Sequence, residues 1–149
     1  MTVNAETSKS GPYIGNGSTV VHAYAFKVLD QSHIVVTQTV IATGVETVLT
    51  ISTHYSVSGV GVDGGGNITM VTAAPTTDTV TITRAVPKTQ TTDLVNRGAV
   101  QPAVIETALD RGVQQVQDFD EEMTRVLRVP ISTASSVSPE LPAPTALKT

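Results

Sequence analysis

The sequence predicts a mainly β protein: a small antiparallel β-sandwich, then an extended connector and one long C-terminal α-helix that forms a parallel, three-stranded coiled coil. Three observations carry this expectation. Short runs rich in β-branched residues recur about every ten residues from Ser18 to Val86, separated by turn sequences. No helix-forming stretch interrupts them, which argues against parallel βαβ units. The stretch from Pro102 to Pro130 then changes character, with one internal glycine and apolar residues at regular intervals.

Residues 1–10 are polar and read as a flexible arm, with the β domain spanning 11–86. The strand candidates are "STVVHAYAFKV" (18–28), "HIVVTQTVI" (33–41), "ETVLTI" (46–51), "HYSVSG" (54–59), "NITMVT" (67–72) and "TVTITRAV" (79–86). "LDQS", "TG", "GVGVDGGG" and "AAPTTD" are the turns between them. In "TVTITR" the alternation puts Val80 and Ile82 on one face and Thr79, Thr81 and Thr83 on the other. With 3% aromatic residues and no Trp, the core has to be built mostly from Val, Ile, Leu and Ala.

Residues 87–101 read as an extended connector, 102–129 as the helix and 130–149 as a Ser/Pro-rich linker leading to a distal region. Pro102 suits the first helical position, where its missing N–H costs nothing. Glu106 and Asp110 lie in the early turns, Arg125 and Arg128 lie in the last, and Pro130 stops the helix. About 28 residues would make a rod of roughly 42 Å, long for a domain of this size. Ile105, Leu109, Gly112, Val116, Phe119, Met123 and Val126 are spaced alternately by four and three. That is a heptad seam with Leu109, Val116 and Met123 at a, and Ile105, Gly112, Phe119 and Val126 at d. Leu at a with Ile at d favours three strands over two. A competing expectation lays the same stripe on the chain's own sheet, helped by Val104, Ala108, Val113 and Leu127.

Other chemistry is weakly signalled. The formal net charge is −4 and no basic run occurs, so nucleic acid is not an expected partner. There is no cysteine, which removes disulfides and thiolate chemistry. The N-terminus lacks the apolar core of a signal peptide and no run is long enough to span a bilayer, so neither export nor a membrane partner is expected. Gly59–Gly64 ("GVGVDG") fits G-x-G-x-x-G, but a strand follows where a dinucleotide site needs a helix. His22, His33 and His54 have no paired ligand spacing, and a Ser–His–Asp set can be assembled from any serine-rich chain. Glu106 and Asp110, and Asp118 with Glu121 and Glu122, read as a solvated helix flank, since glycosidase carboxylates must face one another across a cleft. Asn16-Gly17-Ser18 and Asn67-Ile68-Thr69 match the glycosylation pattern only incidentally. No catalytic residue, cofactor or metal is expected.

The stretches "GPYIGNGSTVVHAYAFKVLDQSHIVV", "HYSVSGVGVDGGGNITM" and "TITRAVPKTQTTDLVNRGAVQPAVIETALDR" resemble the N-terminal virion-anchoring domain of tail fibres and tailspikes of podoviruses, the autographivirus type above all. Thr83-Arg84 through Pro87, Gln90, Thr92-Asp93, Asn96, Gly98, Pro102 and Glu106 to Asp110 carry it most specifically; Gly112 departs from it, standing where Leu is usual. The resemblance implies a structural, non-enzymatic role in the virion tail. A homotrimer assembled in the host cytoplasm would attach the fibre to tail adaptor and nozzle (tail tubular) proteins for host attachment. The trimer seam would be Ile105, Leu109, Val116, Phe119, Met123 and Val126. The alternatives are a short adaptor joining the tail to a separate receptor-binding protein, a carbohydrate-binding β module or carbohydrate-active enzyme, and a bacterial surface adhesin.

Overall fold

A computed structural model of the chain describes residues 5–89 and 102–126. Its elements are β1 (Lys9–Ile14), β2 (Val21–Tyr24), β3 (Ile34–Val40), β4 (Glu46–Leu49), β5 (Tyr55–Ser58), β6 (Gly66–Met70), β7 (Asp78–Arg84) and α1 (Pro102–Thr124). A single 3-10 turn, Gln31–His33, precedes β3. The strands form two sheets with only antiparallel neighbours, in the orders β1-β7-β3-β4 and β2-β6-β5.

The six expected strand regions all contain a strand. A seventh, β1, begins at Lys9, inside the segment read as an arm, and Ser8 just before it is already buried. Its sequence, KSGPYI, carries a Gly-Pro pair that reads as a turn. The sheet accommodates the pair because β1 is an edge strand and its pairing with β7 shifts register between Ser10 and Tyr13, and proline is tolerated at such edges.

Side chains from both sheets meet in one core: Tyr24, Tyr55, Ile68 and Met70 from one, Ile34, Val36, Val80 and Ile82 from the other. The phenols of the two core tyrosines are satisfied in place. Tyr55 Oη donates to the Ile34 carbonyl at 2.9 Å, linking the layers, and Tyr24 Oη donates to the Ser58 carbonyl at 2.6 Å. Strand β7 shows the expected alternation, with Val80 and Ile82 buried and the three threonines partly exposed.

The stretch 18–28 is strand only over Val21–Tyr24. Beyond it Phe26 and Val28 still enter the core, and Lys27 between them is completely buried. The glycine-rich segment 59–65 connects β5 to β6, as its composition suggests. Gly65 has a φ of +84°, and a side chain there would run into the Tyr24 carbonyl.

Helix α1 follows the sheets in sequence and has 23 residues, a length of about 35 Å. The expected helix end at 127–129, most of the connector (90–101) and the linker 130–149 lie outside the described residues.

Candidate functional site: a helix with two unlike faces

Alternation along β7 puts Arg84 on the same face as Val80 and Ile82, at the strand's end. Its guanidinium is buried there 5.7 Å from the Phe26 ring centroid. Nε donates to Asp118 Oδ1 at 2.9 Å, and Nη1 donates to the Lys27 carbonyl at 3.0 Å. Nη2 donates to Gln117 Oε1 at 2.7 Å and to the Gln114 carbonyl at 3.4 Å. Asp118 Oδ2 accepts the backbone N–H of Val86 at 2.8 Å. One arginine thus ties the last strand, the segment after β2 and the middle of α1 together. Its planar fork of donors suits such a junction.

Two turns earlier on the helix, Lys27 Nζ donates to Asp110 Oδ2 at 2.6 Å and makes an ionic contact with Asp63 Oδ1 at 3.2 Å. Burial alone would depress the Lys27 pKa. Its contacts with Asp110 and Asp63 outweigh that and hold it above the ordinary lysine value. Lys27 therefore joins the glycine-rich loop carrying Asp63 to the helix. Gln114 sits between the two ion pairs and is completely buried, with no partner for either side-chain amide atom among the described residues.

This corrects the expectation of a solvated carboxylate flank. Asp110 and Asp118 are 8% and 6% exposed, and both are paired with buried cations. A buried carboxylate without a partner would be too costly to keep.

The opposite face of α1 is apolar and open. Leu109, Val116 and Phe119 are 66%, 61% and 51% exposed; Ile105, Val113 and Val126 are exposed too, and Met123 is partly covered. In heptad terms the b, c and f positions (Asp110, Gln117, Asp118 and Gln114 among them) pack on the β domain. The a and d positions are turned to the outside. Neither the free rod nor the apolar stripe laid on its own sheet describes this arrangement: the helix lies on its domain by its polar face.

Each flank of the helix carries a further contact. On the g side, the Pro87 carbonyl accepts from Gln115 Nε2 at 2.7 Å and from Arg111 Nη2 at 3.1 Å. Lys88 follows, 3.3 Å from Glu122 Oε2 and 5.8 Å from the Phe119 ring centroid. On the e side, Gln117 Nε2 donates to the Ala5 carbonyl at 2.8 Å, and Lys9 lies 3.4 Å from Glu121. Between the N-terminal segment and the helix on this side lies a cleft of about 360 Å³ lined by Glu6, Ser8, Lys9, Asp120, Glu121 and Thr124 among others.

The histidines are dispersed. His22 stacks beside Tyr13 with ring centroids 5.2 Å apart, and His54 Nδ1 accepts from the Thr50 N–H at 3.0 Å. His33 is buried near the Arg84–Asp118 pair, and burial lowers its pKa below the ordinary histidine value. Among the described residues no group of three or more His, Asp or Glu is placed to hold a metal ion, and no helix is long and apolar enough to cross a membrane.

Sequence reasoning found the apolar positions and missed Lys27, Arg84 and Gln114. A signal for Arg84 was present, since it continues the core-face register of Val80 and Ile82. Asp110, Gln114 and Asp118 likewise recur at every fourth position, the spacing of a single helix face.

The chain is similar to a tail spike protein of Salmonella phage epsilon15, 32% identical over 135 residues. The match takes in 91% of this chain and 12% of that protein, so the chain spans a small part of its relative's length. No protein-family model matches the chain.

Proposed function

We propose that this chain is the virion-anchoring part of a phage tailspike or tail fibre, that it trimerises through α1, and that it seats the spike on the tail by binding rather than catalysis. The observation that carries the reading is the division of α1 into two faces. A helix already docked by its b, c and f positions has its a and d positions free, and an apolar stripe of this size is uncommon on a surface that stays exposed. Three such stripes can close around a common axis while each β domain stays attached to its own helix on the outside. If each chain buried ~250 Å² of apolar area there, association would gain about 6 kcal/mol before entropy. The similarity to a tailspike supplies the biological setting. The adaptor and nozzle proteins of the tail are the partners this setting implies for the outward-facing β domains.

Two measurements test the proposal. By light scattering the chain should associate, and a version ending before Pro102 should not. Virions stripped of their spikes should bind the purified chain, and Val116→Asp with Phe119→Asp should weaken that binding by removing the trimer's multiple attachment points. A chain that binds no tail component in either form would refute the anchoring role.

A further inference from the structure

The two flanks of α1 differ in charge and shape, and in a parallel bundle they face each other. In such a bundle the g flank of one helix lies against the e flank of the next, and charges at these positions set partner and orientation. The helix itself supplies no cation for this purpose: its g positions are Ala108, Gln115 and Glu122, and its e positions Glu106, Val113 and Asp120. Like charges alone would oppose closure.

The cation comes from another part of the chain. Val86–Lys88 runs along the g flank, fixed by the Asp118 carboxylate at the Val86 N–H and by Arg111 and Gln115 at the Pro87 carbonyl. These bonds place Lys88 at the rim of the seam, beside Phe119 and Glu122, with its side chain 62% exposed. On the e flank at the same height along the helix is the open cleft, where Glu6, Asp120 and Glu121 outweigh Lys9. Asp120 makes no hydrogen bond or ion pair among the described residues, and Ser8 Oγ, in a residue 3% exposed, has no partner.

We infer that the cleft on the e flank of α1 receives the Pro87–Lys88 strap of a neighbouring copy of this chain, with Lys88 bridging its own Glu122 and the neighbour's Asp120. The inference rests on the trimer reading and adds what orients the trimer. The seam supplies affinity without direction. The strap and cleft are complementary only when the helices run parallel and in register, because only then does Lys88 meet Asp120. Three such contacts close a ring around the bundle.

The test uses charge reversal and mixing of whole chains. Lys88→Asp alone and Asp120→Lys alone should each weaken self-association several-fold at low salt, and the loss should shrink at ~0.5 M salt, where exposed pairs are screened. Equimolar mixing of the two variants should restore association, because an acid and a base then meet at most chain-to-chain contacts. Circular dichroism of each variant should keep the β signal of the parent. Failure of the mixture to associate better than either variant, with the unsubstituted chain trimeric, would overturn the strap-in-cleft contact and leave the trimer standing. A monomeric unsubstituted chain would overturn both.

Discussion

The two faces of α1 invert the usual arrangement of an amphipathic helix on a globular domain. Such a helix ordinarily turns its apolar stripe to the core and its charges to water. Here Asp110, Gln114 and Asp118 are buried against the sheets, while Leu109, Val116 and Phe119 face outward. The difference teaches what each face is for. Buried ion pairs stabilise weakly for what they cost in desolvation, yet their geometry admits one docking position. Arg84 and Lys27 therefore fix how the helix sits, and the exposed apolar stripe takes no part in that docking.

If that division is right, substitutions on the two faces should have unlike consequences, and the largest effects should come from the docked one. Arg84→Ala leaves Asp118 buried without its cation and should lower stability by about 3–5 kcal/mol, measured by urea unfolding. Arg84→Lys should recover little of this, since an ammonium cannot reach Asp118, Gln117 and the Lys27 carbonyl together. Lys27→Met should cost about 3 kcal/mol, while the double change Lys27→Met with Asp110→Leu should cost less than Lys27→Met alone, because the buried Asp110 charge is then gone and only Asp63, partly open to water, loses its cation. A double variant as unstable as the single one would mean that the pair contributes more than the desolvation of its charges.

Acid should loosen the docked face. His33 is held below the ordinary histidine pKa first by burial, with Arg111 and Arg84 acting in the same direction and Asp30 and Asp118 opposing. The unfolded chain therefore takes up this proton at higher pH than the folded chain does. Stability should fall as pH drops from the unfolded histidine value, about 6.5, toward the lower folded one, by at most about 1.4 kcal/mol per pH unit for the single group. Melting followed from pH 7.5 downward should show this slope, and His33→Phe should flatten it. His22, also depressed by burial, would sustain part of the slope in that variant.

A smaller effect of opposite sign is expected at Gln114. Its amide is buried without partners among the described residues, so Gln114→Met should raise stability by about 1 kcal/mol. A loss instead would show that the amide has a partner in solution. The smallest effect on the folded monomer belongs to the open face. Val116→Asp should change unfolding free energy by no more than about 0.5 kcal/mol at a concentration where the chain is monomeric.

The apolar half of the helix was legible in the sequence because four-three spacing is independent of what the stripe meets. The strands were legible for a similar reason: "TVTITR" shows its two faces by alternation, and glycine-rich turns separate the runs. What could not be seen was the docking, because a carboxylate on a helix is ordinarily a solvent group and only a distant partner makes it a buried one. Asp118 depends on Arg84, and Asp110 on Lys27, across 34 and 83 residues of sequence. Strand β1 was hidden by its Gly11-Pro12 pair, which only an edge position with shifted register can hold.

The central claim is that the outward stripe of α1 binds sister copies and contributes little to the fold of one chain. Sedimentation equilibrium of the unsubstituted chain beside the Val116→Asp and Phe119→Asp double variant tests this most directly, with unfolding followed on the same samples. The account predicts a trimeric mass for the first, a monomeric mass for the second, and the same β signal in both. A monomeric mass for the unsubstituted chain at high concentration, or a double variant that has lost its β structure, would contradict it.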